Sequence, residues 1–357
     1  MQQRYVRVVR LLAFVLLAAV IGACGGAPAA GPSASNNATP GAAGTARTLE
    51  TTNVSVRLLW VPQYQFAGYI VAKVKGFYDE VGLNVTLNPG GPDISTVQLV
   101  GSGSDSFGVD TPDTVLLARE RGIPLVALAT FFQTSPGGFM VHSDSAIKSP
   151  QDFVGKNIAM SPGSLQTEYL GMLAANNIDR SQITEVPYTF NLEPFLSRRV
   201  DVWPIYVTDQ PNVARKQGAD IRVLVARDFG VTMLGDGLFT TEAFLAKNPN
   251  TTQAFIDATL KGWDYAVTHF DETVKLLADY NKELTVDQLT FEGHETIKLL
   301  QYGVGATCIG GNDRAAWEAE QKMLVDLKIL KGPVSLDAAL NPSFVTAYYQ
   351  RKGITCK

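Results

Sequence analysis

The apolar positions of this chain fall into short runs that alternate in period. Val54-Ser-Val-Arg-Leu-Leu-Trp60 alternates and then turns apolar, the pattern of a strand buried first on one face and then on both. Ala67 to Glu80 carries helical spacing and closes near Gly82. Leu83 to Leu87 predicts a second strand, and Asn88-Pro-Gly-Gly-Pro92 a turn. A helix over Ile94 to Ser102, a short strand over Ser106 to Val109 and a helix over Thr111 to Arg121 follow. Leu125 to Phe132 is then a buried strand. Strand and helix in alternation argue for an α/β lobe with a largely parallel sheet.

A second series repeats the pattern. Ser149-Pro-Gln-Asp-Phe153 opens a short helix, and Asn157 to Met160 reads as a strand. The turn Ser161-Pro-Gly-Ser164 leads into a helix from Leu165 to Asn176. Ile183 to Val186, Val200 to Trp203 and Ile221 to Val225 predict strands; Asn191 to Ser197 and Asp209 to Gly218 predict helices. After Asp236 the chain turns mainly helical, over 241–246, 249–270, 271–280, 286–302 and 314–327. Asn248-Pro249 caps the long amphipathic member, which holds Phe255, Leu260, Trp263 and Ala266. That helical tail has no sheet of its own. It is expected to return to the first lobe, giving lobe 1 as 54–138 plus 234–357, lobe 2 as 139–233, two crossovers and a cleft with a hinge.

The N-terminus changes the picture. Arg4, Arg7 and Arg10 precede an apolar run from Leu11 to Val20 and then Ile21-Gly22-Ala23-Cys24. A charged start, a short apolar core and small residues make a secretory signal over 1–23. The run is shorter than the roughly 20 residues that span a bilayer core. Leu17-Ala-Ala-Val-Ile-Gly-Ala-Cys24 resembles a bacterial lipobox, which implies lipidation of Cys24 and a chain tethered to the extracytoplasmic face of the cell membrane. Residues 25–53 are almost wholly Gly, Ala, Pro, Ser, Asn and Thr, a flexible linker. About 300 residues remain, enough for two lobes.

Without the three signal arginines the chain carries 27 basic against 34 acidic residues, and no Lys/Arg cluster. Nucleic acid is a poor partner for such a surface. Of the three cysteines, Cys308 and Cys356 remain once Cys24 is lipidated. In an oxidising compartment they form either a disulfide pinning the C-terminal tail or two buried thiols. His142, His269 and His294 are far apart in sequence. Metal-ligand spacing, a nucleophile elbow and a phosphate loop are all missing from the sequence.

Five segments in order carry a resemblance: Trp60-Val-Pro-Gln-Tyr-Gln-Phe-Ala-Gly-Tyr69 with its continuation to Tyr78, Phe107-Gly-Val-Asp-Thr-Pro-Asp113 with its continuation to Val126, Asp152-Phe-Val-Gly-Lys156, Val200-Asp-Val-Trp-Pro-Ile-Tyr206 with its continuation to Pro211, and Gly235-Asp-Gly-Leu-Phe239. Together they resemble the substrate-binding proteins of ABC importers in the group related to thiamin-pyrimidine synthases. Nitrate, sulfonate and taurine binders are more distant relatives. The resemblance covers about 54–330. It implies a two-lobed periplasmic-binding-protein fold, a monomer without cofactor, and a permease and ATPase as partners. The synthase branch uses His and a Cys-rich iron motif; this chain has no Cys cluster, and Gln65-Phe66 stands where the pyrimidine-handling relatives are expected to carry a His.

Rings and polar residues at strand ends mark the expected ligand site. Trp60, Tyr64, Trp203 and Tyr206 are expected to face the cleft, with Tyr188 beside them, while Phe107, Phe131 and Phe153 are expected in the core. Gln63, Asp110, Thr111, Ser161, Glu168, Asp209 and Asp236 supply hydrogen bonds. Few cations sit on these loops, which disfavours an anion. The Trp-x-Pro-Gln opening resembles that of riboflavin-binding lipoproteins, which puts riboflavin ahead of a thiamin pyrimidine precursor as the expected ligand. A pyrimidine-synthase-like enzyme or a tethered ligand sensor is the alternative class.

Overall fold

A computed structural model of the protein describes residues 48–356. Cys24, the signal segment and residues 25–47 of the linker lie outside the described residues. The chain opens with β1 (Asn53–Arg57), α1 (Ala67–Val74), α2 (Phe77–Glu80), β2 (Asn84–Asn88), α3 (Thr96–Gly101), β3 (Phe107–Asp110), α4 (Pro112–Glu120) and β4 (Leu125–Thr130). It continues through β5 (Gly137–His142), β6 (Asn157–Met160), α5 (Ser164–Ala175), β7 (Thr184–Pro187), α6 (Glu193–Leu196), β8 (Trp203–Tyr206), α7 (Gln210–Lys216), β9 (Ile221–Val225) and β10 (Gly237–Thr241). Helices complete it: α8 (Glu242–Lys247), α9 (Pro249–Thr268), α10 (Phe270–Tyr280), α11 (Val286–Leu300), α12 (Arg314–Asp326), α13 (Leu336–Ala339) and α14 (Ser343–Arg351).

The first sheet has the order β2-β1-β3-β10-β4. β1 pairs with β2 and β3 in parallel, whereas β10 runs antiparallel to both β3 and β4. The largely parallel expectation is thus met in all but one strand, and that strand arrives from the far side of the molecule. The second sheet has β5 between β8 and β9, antiparallel to both. β6 and β7 pair in parallel and join it through a bridge between Ile158 and Val202. Two connections pass between the sheets, from β4 to β5 and from β9 to β10. The molecule is a two-lobed α/β protein with two crossovers and a helical C-terminal segment.

Several boundaries differ from the sequence expectation, each for a local reason. The expected helix over Ala67–Glu80 breaks at Gly76, whose φ of 76° stops α1 and starts α2. The strand expected at Val200–Trp203 lies three residues later. Pro204 reads against a strand, yet it pairs opposite Phe139 while its other edge carries only the Ile158–Val202 bridge, so no partner needs the missing N–H. β5 begins Gly137-Gly138 and β10 begins at Gly237, and the sequence pattern predicts neither strand. The short helices α13 and α14 also went unread in the sequence.

Packing fixes the segment that leads to the cleft. α1 and α9 approach closely at Gly68 and Gly262: a Cβ on Gly68 would enter the Trp263 ring, and one on Gly262 would strike the Gly68 carbonyl. Phe107, Phe131 and Phe153 are buried core residues, as their patterns indicated. Tyr78 and Phe107 both stack on Phe255 of α9, at centroid separations of 5.3 and 4.3 Å. Cys308 and Cys356 are joined by a disulfide that ties the chain end to the core under α14.

Candidate functional site

Loops from the strand ends of both sheets meet between the lobes. On the first sheet, the turn after β1 carries Trp60, Gln63 and Gln65. Asp110 ends β3, and Asp236 precedes β10, where Gly237 is paired with Asp110. From the second sheet come Tyr206 at the end of β8, the turn Ser161–Ser164 before α5, Glu168 on α5 and the ring-bearing segment after β7.

Rings bridge the lobes at one side of this junction. Trp60 lies 5.6 Å from Phe190, centroid to centroid; Phe190 meets Tyr188 edge-on at 5.2 Å, and Tyr188 packs on Trp203 at 4.9 Å. Trp60 and Tyr188 are half-buried, and Phe190 is 59% exposed. A row of rings with one open member can cover a flat ligand, each well-placed pair adding roughly 0.5–1.5 kcal/mol beyond area burial.

Polar groups line the interior. Gln63 Nε2 donates to Gln65 Oε1 at 2.9 Å, and Gln65 Nε2 donates to Asp236 Oδ2 at 2.5 Å. Asp236 Oδ1, the Tyr69 hydroxyl and the Thr208 hydroxyl are buried without hydrogen-bond partners in the protein. Burial pushes the Asp236 carboxyl up to about 7; its bond from Gln65 opposes this and the charge of Asp110 adds to it. Asp110, half-buried, accepts from the Thr96 hydroxyl and from the Thr111 amide at 2.8 Å, and burial pushes it up to about 6. Tyr206 lies among Asp236, Glu168 and Asp110, with Ser164 beside its hydroxyl; burial first and then these acids raise its phenol. Glu168 is wholly buried, and neither oxygen makes a hydrogen bond of good geometry, although Ser135 lies alongside. Among the described residues no lysine or arginine is buried. This surface combines hydroxyls and raised carboxyls, which donate as well as accept hydrogen bonds, and it offers an anion no buried cation.

Three expected ligand residues are occupied otherwise. Tyr64 is a correction: its hydroxyl donates to the Ala266 carbonyl at 2.9 Å and its ring packs on Phe270 at 5.5 Å, so it belongs to the helical core. Its backbone amide and that of Gln65 bind the buried Glu292 carboxylate. Thr111 is a second, its hydroxyl donating to Asp113 Oδ1 at 2.5 Å. Asp209 is a third: Oδ1 accepts from Gln288 and Oδ2 from Gln210, both at 2.9 Å, so the carboxylate ties the start of α7 to α11. Trp203 is wholly buried in the core of the second lobe and reaches the ring row only through Tyr188, contrary to the expectation that it faces the cleft. Ser161 is buried, with its hydroxyl directed at the Pro162 carbonyl at 3.5 Å.

Sequence reasoning missed Gln65, Thr96, Asp113, Thr167 and Glu320 as members of this region. Asp113 follows Pro112 in a helix start and reads as ordinary first-turn chemistry. Its partner Thr167 lies 54 residues away on α5 of the opposite lobe, at 3.1 Å, and no local signal announces such a pair.

The family model described as "NMT1/THI5 like" matches residues 63–273. The chain belongs to this family. It is 26% identical over 347 residues to the riboflavin-binding protein RibY of Chloroflexus aurantiacus, covering 93% of this chain and 96% of that one. It is 27% identical over 304 residues to the formylaminopyrimidine-binding protein of Halalkalibacterium halodurans, covering 82% and 90%. Among solved structures, the periplasmic aliphatic sulphonate binding protein SsuA of Escherichia coli superposes with a TM-score of 0.65 at 17% identity, covering 82% of this chain and 93% of that one. That likeness establishes the periplasmic-binding-protein fold.

Proposed function

We propose that this protein is the extracytoplasmic substrate-binding subunit of an ABC importer and captures an aromatic heterocycle, riboflavin ahead of a thiamin-type pyrimidine precursor. The observation that carries the reading is the row of rings reaching across the two lobes, Trp60 to Phe190 to Tyr188. Similarity to a riboflavin-binding protein along nearly the whole chain supports it. The interior, polar and without a buried cation, supports a ligand with both hydrogen-bond donors and acceptors and weighs against a sulfonate or nitrate.

In this reading lobe 1 comprises 54–138 and 234–357, and lobe 2 comprises 139–233. The protein is a monomer anchored through a lipid on Cys24. Ligand contacts with both lobes favour the closed form. The closed lobes dock on a membrane permease, and a cytoplasmic ATPase drives release. No residue is catalytic. The three histidines support that assignment, since each stacks on a ring elsewhere: His142 on Phe195, His269 on Tyr265 and His294 on Phe270.

The test is a titration of purified full-length protein with riboflavin, read by flavin fluorescence, beside a thermal-shift series with formylaminopyrimidine. Saturable quenching at one flavin per chain is the expected result. Stabilisation by the pyrimidine without quenching would move the ligand to the second reading. Silence in both would sink the aromatic-heterocycle reading.

A further inference from the structure

Behind the cleft, at the hinge, three buried carboxyl groups meet from three separate segments. Asp113 comes from α4, Glu168 from α5 and Glu320 from α12, and each is at most 1% exposed. Together they touch both crossovers. Glu168 lies flush against Gly137 at the end of the first crossover, where a Cβ would overlap its carboxyl oxygens. Glu320 Oε2 accepts from the amide of Leu234 in the second crossover at 2.8 Å. Asp113 Oδ2 accepts from Thr167 of the opposite lobe at 3.1 Å. Both Glu168 oxygens and Glu320 Oε1 make no hydrogen bond of good geometry, although Ser135 and the Asp113 backbone lie near them.

The groups facing this cluster offer it no positive charge. Asp110 lies beside Asp113 on the first-sheet side and Tyr206 beside Glu168 on the second-sheet side, and both carry neutral or negative charge. The hydroxyls of Thr111 and Thr167 satisfy Asp113, so the burden falls on the two glutamates. Carboxyl groups buried together without a cation cannot all ionise.

We propose that Asp113, Glu168 and Glu320 form a proton-operated latch across the hinge, which holds the lobes closed while the cluster keeps its protons and opens them as those protons leave. Separating α4 from α5 breaks the Asp113–Thr167 contact and lets water reach Glu168. In the closed form burial, with the charge of Asp113 adding, pushes Glu168 up to about 8. Burial, Asp113 and Glu168 together raise Glu320 well above its ordinary range. A carboxyl raised on closing contributes fully to closure below its open-state value, in the ordinary carboxylate range. That contribution is lost as pH rises through the closed-state value. Each proton held by closing shifts the closed-to-open ratio up to tenfold per pH unit between those two values.

Trp60 is the natural reporter. It is the half-buried tryptophan, seated on Phe190 of the other lobe; Trp203, Trp263 and Trp317 are fully buried. In ligand-free full-length protein, Trp emission is expected to shift to the red as pH rises from 5 to 9, and Trp60→Phe should remove the shift. Glu168→Gln and Glu320→Gln, isosteric with the protonated acids, should each flatten the transition and keep the lobes closed at alkaline pH. Gly137→Ala, which displaces the Glu168 carboxyl, should give the red-shifted emission at every pH. A flat wild-type profile would overturn the latch. So would a transition that survives both Gln variants but vanishes in Asp236→Asn, since it would then belong to the cleft interior. Because no ligand is used, failure here leaves the riboflavin reading untouched.

Discussion

Trp60 and Tyr64 lie four residues apart in one loop, and the fold gives them opposite work. Trp60 meets a ring of the other lobe; Tyr64 is locked among helices by its bond to Ala266. Trp60→Ala is expected to weaken riboflavin binding by ~2 kcal/mol, about thirtyfold in Kd. Tyr64→Phe should leave binding unchanged and cost ~1 kcal/mol of stability through the lost buried hydrogen bond. Titration and chemical denaturation of both variants check the pair, and a reversal would return Tyr64 to the site. Asp236 allows a pH prediction. Its folded-state value of about 7, raised by burial, lies above the ordinary range near 4 for an unfolded aspartate. Its contribution to stability is therefore complete below about pH 4 and is lost as pH rises through about 7. Asp236→Asn should gain on the wild type by several degrees in Tm between pH 5 and 8.5. A constant difference between the two melting curves would refute it. The pairing of Gln65 with Asp236 was not legible, because the two residues are 171 positions apart and each sits in a segment that reads as a loop.

At the scale of elements, most helices and strands were legible because their apolar spacing matches one period over a whole segment. β6 and β9 fall where the pattern put them, at 157–160 and 221–225. The missed or shifted strands share one cause. β5, β8 and β10 each contain Gly or Pro inside a strand, and a neighbouring strand, not local preference, holds the extended backbone there. The C-terminal element α14 shows the reverse case, in which a covalent tie supports a weak segment. The Cys308–Cys356 disulfide closes a separation of 48 residues. In the chain-entropy limit such a loop contributes about 4 kcal/mol, and measured effects typically run at ~2–4. Cys356→Ser is expected to lower unfolding stability by that amount, with riboflavin affinity unchanged because α14 lies on the first lobe's helical core, away from the ring row. Identical denaturation curves with and without reductant would show that the bond does not form in the folded protein.

Across the whole molecule, the proposed lipid anchor at Cys24 is expected to be separable from the cleft. Cys24→Ser should leave riboflavin titration unaltered and move the protein from the membrane fraction to the soluble fraction; retention in membranes would sink the lipobox reading. The alternation of strand and helix determined the α/β class, because period in sequence maps directly onto which face is buried. The same alternation, ending in a helical tail without strands, implied two lobes with a returning chain. What only the tertiary structure decided is which distant residues meet. Asp113 with Thr167, Glu168 with Gly137, Glu320 with Leu234 and Trp60 with Phe190 are all contacts between segments far apart in the chain. Sequence pattern encodes the face on which a residue lies, but long-range contacts arise only when two crossovers bring the lobes together. The acids of the hinge therefore read as scattered helix residues in the sequence and become one buried cluster in the fold.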